Sequence, residues 1–252
     1  MDYIEMRNSF STQFNNIMSN QAPGLNGYEI SLFLTKGQDE TLKNYFNPKG
    51  NKYQEGADDS PKRQIDFSNL MVTTILTEST PTGYVRRDPR SQVYLMPTNP
   101  TNGYEKPMFI LNEYALKTQG SQSMEDYITV RAISYQEYQR LMAKPYKWPV
   151  YNEAWRLLQT GGGRDIEEVA EVISRIPIPA NSYYMTYIRK PKPIIVENLT
   201  GSGVSLEGYV TESSCELDSI LHEEVVQRAV ELAKAAYIGD LNATIQMGQR
   251  SE

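Results

Sequence analysis

Apolar and polar positions change rhythm twice along the chain. Over residues 3–19, Met6, Phe10, Phe14 and Ile17 recur every three or four positions, the spacing of one helix face. Gln21-Ala22-Pro23-Gly24 stops that run. A second helix is predicted from Asn26, with Glu29 three residues on, as a capping box requires. Its apolar side carries Ile30, Phe33, Leu34 and Gly37, then Leu42, Tyr45 and Phe46, before Asn47-Pro48-Lys49-Gly50 ends it. Two helices joined by a short Gly/Pro turn predict an antiparallel helical hairpin. Residues 48–64, centred on Asp58-Asp59-Ser60-Pro61, read as a surface loop.

Near residue 65 the character changes. Runs rich in β-branched and aromatic residues, too short for helices, follow at 71–77, 91–96, 106–111, 127–133 and 183–188. Clusters of Pro, Asn and Gly, such as 97–103, separate them. Residues 155–158 and 169–173 are read as strands as well, although 166–174 equally fits a short helix. A short helix from Ser134 to Ala143, closed by Pro145, interrupts the series. Beyond residue 214 the helical rhythm returns. Leu217, Leu221, Val225, Ala229, Leu232 and Ala236 form an apolar stripe, widened by Val226, Val230, Ala233 and Tyr237. Asp218 or Ser219 caps this helix, Glu223 and Glu224 favour its first turns, and Gly239 ends it. Residues 240–252 are a polar tail.

Helices, then strands, then a helix predict an α+β fold and not an alternating βαβ one. The expected architecture is a helical bundle module built from both chain ends, residues 1–66 with 214–252, and a β-rich insertion, residues 67–213, in the middle. The length of 252 residues suffices for a sizeable core without covalent staples.

Composition narrows the function classes. The 25 basic and 31 acidic residues leave a net charge of −6, which argues against general binding to nucleic acid or to an anionic membrane. One cysteine, Cys215, excludes an intrachain disulfide and a thiolate cluster; one histidine, His222, excludes a multi-histidine metal site. No run approaches the apolar length of a membrane span, and the first residues lack the pattern of a signal peptide, so synthesis in a cytoplasm is expected. The 18 tyrosines, against 6 phenylalanines, favour protein–protein contact surfaces.

The search for chemistry yields decoys. Gly161-Gly162-Gly163 is followed by Arg164-Asp165, where a phosphate loop needs Lys and then Ser or Thr. It reads as a turn, as does Gly201-Ser202-Gly203. His222-Glu223-Glu224 lacks the second histidine of a zinc-protease helix, and Cys215 has no partner base in sequence. The carboxylate pairs Asp58-Asp59 and Glu167-Glu168 read as surface charge, although spacing alone leaves a glycosidase-type pair open. No cofactor, metal or catalytic residue is assigned.

Two segments carry functional expectations. In the stretch 183–195, Pro191 and Pro193 hold the chain extended, and Tyr187, Arg189, Lys190 and Lys192 are candidate contacts to another subunit or partner. The same charges also suit a solvated sheet edge. In the tail, Asp240, Leu241, Ile245, Met247 and Arg250 are candidates for a docking arm that orders on binding.

Three blocks resemble a known family: Tyr28 to Lys36 continuing to Lys43-Asn44-Tyr45-Phe46, the extended Tyr187 to Ile195, and Cys215-Glu216-Leu217 with Leu221 to Ala233. In this order they resemble the head–tail connector (ring, or adaptor) proteins of crAss-like bacteriophages. The resemblance implies a non-enzymatic virion protein, made in the host bacterial cytoplasm, whose copies form a ring of about twelve at the head–tail junction. It implies the portal protein and other neck or tail rings as partners, with packaged DNA passing through the lumen without specific binding, and no membrane. It assigns 217–237 to the helical module and 240–252 to a candidate portal arm. Alternatives are another neck or tail-barrel ring, and a virion-borne carboxylate-dependent hydrolase.

Overall fold

The computed structural model describes residues 1–17, 24–46, 65–81, 84–97, 106–120, 123–144, 146–160, 168–201 and 203–238. Among these are helices α1 (Tyr3–Ile17), α2 (Gly27–Phe46), α3 (Tyr135–Met142) and α4 (His222–Ile238). Seven strands accompany them: β1 (Met71–Ile75), β2 (Gln92–Leu95), β3 (Pro107–Leu116), β4 (Tyr127–Ala132), β5 (Glu153–Thr160), β6 (Glu168–Ser174) and β7 (Tyr183–Arg189). The chain divides into two compact units, Met1–Leu70 with Pro191–Glu252, and Met71–Lys190.

The central unit is a seven-stranded mixed sheet in the order β1-β7-β3-β4-β5-β6-β2. Only β4 and β5 run parallel, and the crossover between them carries α3. The sheet curls until its two ends meet. Beyond β1 the chain pairs with β2: the Ser79 N–H donates to Val93 O at 2.9 Å and the Leu95 N–H to Thr77 O at 3.2 Å. This short bridge covers part of the sheet's two edges. Alternation explains why the sheet closes. Val72, Tyr94, Ala115, Ile128, Ala154, Val172 and Met185 come from seven different strands and share one apolar interior. Ile133 and Tyr138, beside and on α3, cover Trp155, Leu157 and Ile173 on the outer side of β5 and β6. The unit begins and ends in neighbouring strands, with Met71 opposite Ile188.

In the chain-end unit, the capping box at α2 forms as the sequence predicts. The Glu29 N–H donates to Asn26 Oδ1 at 2.8 Å, and the Asn26 N–H donates back to Glu29 Oε2 at 2.9 Å. Helices α2 and α4 touch at Gly37, where a Cβ would lie 2.8 Å from Val225 O and 2.9 Å from Ala229 N. A residue without a side chain is needed for that approach. Asp218 accepts from the Ile220 N–H at 3.0 Å and caps the 3₁₀ turn leading into α4. Val225, Val226, Ala229, Val230 and Ala233 are buried along α4, whereas Leu232 is only half-buried and Ala236 is exposed, so the buried face is narrower than the sequence stripe.

The helical bundle expected from both chain ends is corrected. The dominant regular element is the curled sheet, and α1, α2 and α4 do not make a core by themselves. The irregular stretch after β7 buries Ile194, Ile195, Val196, Leu199 and Leu206 in the same unit. Hydrophobic periodicity registers helices and strands and is blind to a buried segment with neither period. Residues 166–174, ambiguous by pattern, contain strand β6. The expected loop at 48–64, the glycine run 161–163 and the tail lie outside the described residues.

Candidate interaction surfaces

The extended segment singled out in sequence is anchored through its backbone. Pro191 and Pro193 have no N–H to satisfy. The Lys192 N–H donates to Glu216 Oε2 at 2.9 Å, the Ile194 N–H to Thr35 Oγ1 at 3.1 Å and the Val196 N–H to Ser31 Oγ at 3.0 Å. The Ile195 N–H donates to Ser213 O at 3.1 Å, and Gln38 Nε2 donates to Lys192 O at 2.9 Å. Ser31, Thr35 and Gln38 lie three or four residues apart on α2, so a polar stripe of a helix does the work of a neighbouring strand.

This anchoring decides where the candidate contacts stand. Tyr187 is fully buried in the core of the curled sheet, because its position on β7 alternates inward with Tyr183 and Met185. Arg189 and Lys190 are half-buried. Lys192 is exposed, with its Nζ 3.9 Å from Glu216 Oε1. Asp240, Leu241, Ile245, Met247 and Arg250 lie outside the described residues.

Two outer walls of the central unit stand out. On the β7–β3–β4 wall, Tyr114 stacks on Tyr184 with ring centroids 4.8 Å apart and planes within 6°. Tyr127 lies 5.4 Å from Tyr114 on the other side, and Ile75 extends the row opposite Tyr184. These positions alternate with the core residues and therefore face outward; Ile75 and Tyr127 are 46% and 40% exposed. Met124 and the exposed Glu125 precede Tyr127.

The second wall lies around β5, β6 and β2. Here three exposed guanidiniums each lie on an aromatic ring: Arg87 over Tyr135 at 5.6 Å, Arg90 over Trp148 at 3.7 Å, and Arg175 over Tyr151 at 4.5 Å. The loop carrying Arg87 and Arg90 is fixed by Glu171, which is completely buried. Its Oε1 accepts from the Arg87 N–H at 2.7 Å, the Asp88 N–H at 3.1 Å and the Ser91 hydroxyl at 2.5 Å, and its Oε2 accepts from Tyr84 at 2.9 Å. A recess of about 590 Å³ beside it is lined by Arg87, Tyr135, Leu158, Gln159 and Glu168. Sequence reasoning missed both walls. The three arginines are scattered, and only the aromatic cluster Tyr146, Trp148 and Tyr151 among prolines hinted at them.

The buried polar groups serve structure. Inside the curled sheet, Glu113 accepts from Arg156 Nε at 2.8 Å and from the Tyr183 hydroxyl at 2.7 Å, one bond on each carboxylate oxygen. Burial raises the Glu113 carboxyl pKa, and Arg156 and Tyr183 counteract that rise. Cys215 is buried, and burial pushes its thiol up to about 11, the opposite of an activated nucleophile. The His222 ring lies 3.0 Å from Leu217 O and 2.7 Å from the Met1 amine, and burial lowers its pKa. Among the described residues no group of three or more His, Cys, Asp or Glu side chains is placed to hold a metal ion, and no helix is long and apolar enough to cross a membrane.

Charge is unevenly divided. The chain-end unit carries 11 basic and 19 acidic residues, net −8, and the central unit 14 and 12, net +2. The acidity of the whole chain therefore belongs to one unit.

Comparison with known proteins places the chain in a family. A family model described as phage tail ring protein 3/4 matches residues 1–245. "Ring protein 4/5" of Bacteroides phage crAss001 is 45% identical over 257 aligned positions, covering 100% of both chains. "Ring protein 3" of the same phage is 28% identical, over 91% of this chain and 93% of its own. The sequence resemblance to crAss-like phage ring proteins is thereby established, and the chain belongs to the phage tail ring protein 3/4 family.

Proposed function

We propose that this chain is a non-catalytic structural protein of the virion, whose copies close into a ring of about twelve in the stack joining capsid to tail. The observation that carries this is the end-to-end likeness to a ring protein at 45% identity, with no part of either chain left over. The structure supports it. Two of the buried carboxylates, Glu113 and Glu171, are bonded to Arg156, Tyr183 and the loop at 84–91. Packaged DNA passes through the lumen of such a ring without specific recognition.

A place directly beneath the portal rests on the resemblance, with 240–252 as the portal arm. The description of the family as tail rings favours a place further along the stack. Electron microscopy of the purified chain, alone and mixed with the portal or with the other ring proteins of the same phage, tests the proposal. A saturable ring on the portal's tail-side end supports the portal-adjacent place, and there a chain ending at Gly239 should fold but fail to attach. A ring formed only on another ring protein supports a place down the tail. No ring in any mixture overturns the assembly reading.

A further inference from the structure

The structure carries two chemically different outer walls on one curled sheet. In the strand order the tyrosine wall centres on β7 and β3, the arginine wall on β5 and β6, nearly opposite each other around the closed sheet. A subunit of a closed ring meets its two neighbours through two different faces, each matching the other. We infer that these walls are those faces: Arg87, Arg90 and Arg175 of one copy dock on Tyr114, Tyr127 and Tyr184 of the next. The inference rests on the ring reading and deepens it by naming the contact.

The occupant is a second copy because the two walls complement each other. Guanidinium groups bind the faces of tyrosine rings, and arginine and tyrosine are enriched where interfaces hold their energy. The exposed Glu125, two residues before Tyr127 in the turn leading into β4, supplies opposite charge at that end of the tyrosine wall. Both sides are already ordered. Each guanidinium lies on a ring of its own chain and belongs to an exposed residue, and Glu171 holds the loop that carries two of them. The tyrosines are stacked across three hydrogen-bonded strands. Little side-chain freedom is lost on contact, which favours association. The recess between Arg87 and Glu168 offers room for an incoming tyrosine.

The test uses the full chain and two variants altered only at exposed positions. One carries Arg87→Glu, Arg90→Glu and Arg175→Glu; the other carries Ile75→Lys and Tyr127→Lys, which set like charge against the arginine wall. Circular dichroism verifies that each is folded, and mass photometry, with and without the ring or portal that templates assembly, reads the size. The wild type should form closed rings and each variant alone should stay monomeric. Mixed, the variants should give species of two or more chains, since one intact wall of each kind remains and the altered acidic and basic walls attract. Rings from either folded variant, or two folded variants that stay monomeric when mixed, overturn the assignment while leaving the ring reading standing. A wild type that forms no ring under any condition overturns both.

Discussion

The two units solve the same problem, the pairing of an extended backbone, by different means. In the curled sheet, backbone pairs with backbone on both sides of nearly every strand, so the outward side chains on its walls are free to vary. In the chain-end unit, residues 191–196 pair with the side chains of Ser31, Thr35, Ser213 and Glu216. There a single side chain is a backbone partner, and its loss leaves a buried N–H without one. Position for position, the second arrangement is the more easily broken.

The largest expected effect lies inside the sheet. Arg156→Met leaves Glu113 buried without its cation and should cost about 3–5 kcal/mol in urea unfolding, whereas Glu113→Leu combined with Arg156→Met should recover most of it. A single variant within about 1 kcal/mol of wild type would show the pair to be solvated. Next comes Gly37→Val, which drives a side chain into Val225 O and Ala229 at the crossing of α2 and α4, at a cost of roughly 1–3 kcal/mol or more by the same assay.

The comparison is sharpest between two threonines. Thr35→Val removes the acceptor of the Ile194 N–H and should cost about 1–3 kcal/mol. Thr73→Val removes only a 3.0 Å hydroxyl contact with Thr186 on the sheet's outer face and should stay within about 0.2–1 kcal/mol. Equal losses at the two sites would dissolve the distinction between the units. Between them falls a pH effect. Burial lowers the His222 pKa below its ordinary 6.5, while nearby Asp218 and the Leu217 carbonyl act in the other direction. The unfolded chain therefore takes up this proton first, so the contribution of His222 is complete above about pH 6.5 and is lost as pH falls below it. Urea midpoints at pH 7.5 and 5.5 should differ less in His222→Gln than in wild type.

Most regular elements were legible because their signals are local. The capping box at Asn26, the stripe of α4 and the alternation of β7 need only a few consecutive residues. What escaped depends on contacts between distant residues. Nothing near Tyr187 in sequence tells that its face of β7 is the closed interior, and nothing near Thr35 tells that its hydroxyl serves Ile194. The bundle expectation failed for the same reason, since an irregular buried segment has no period to detect. The contact walls were hidden too, as tyrosines on three strands and arginines on three separate stretches meet only once the sheet has curled.

The pairing of Met71 with Ile188 bears on how the protein answers force. The chain enters and leaves the curled sheet at the same end of two antiparallel strands, so tension applied across that insertion peels β1 from β7 one rung at a time. Peeling loads hydrogen bonds in succession, whereas shear along the strands would load them together. The sheet is then soft toward a pull applied across the insertion, yielding at low force. Single-molecule stretching between residues 70 and 191 should show that soft extension.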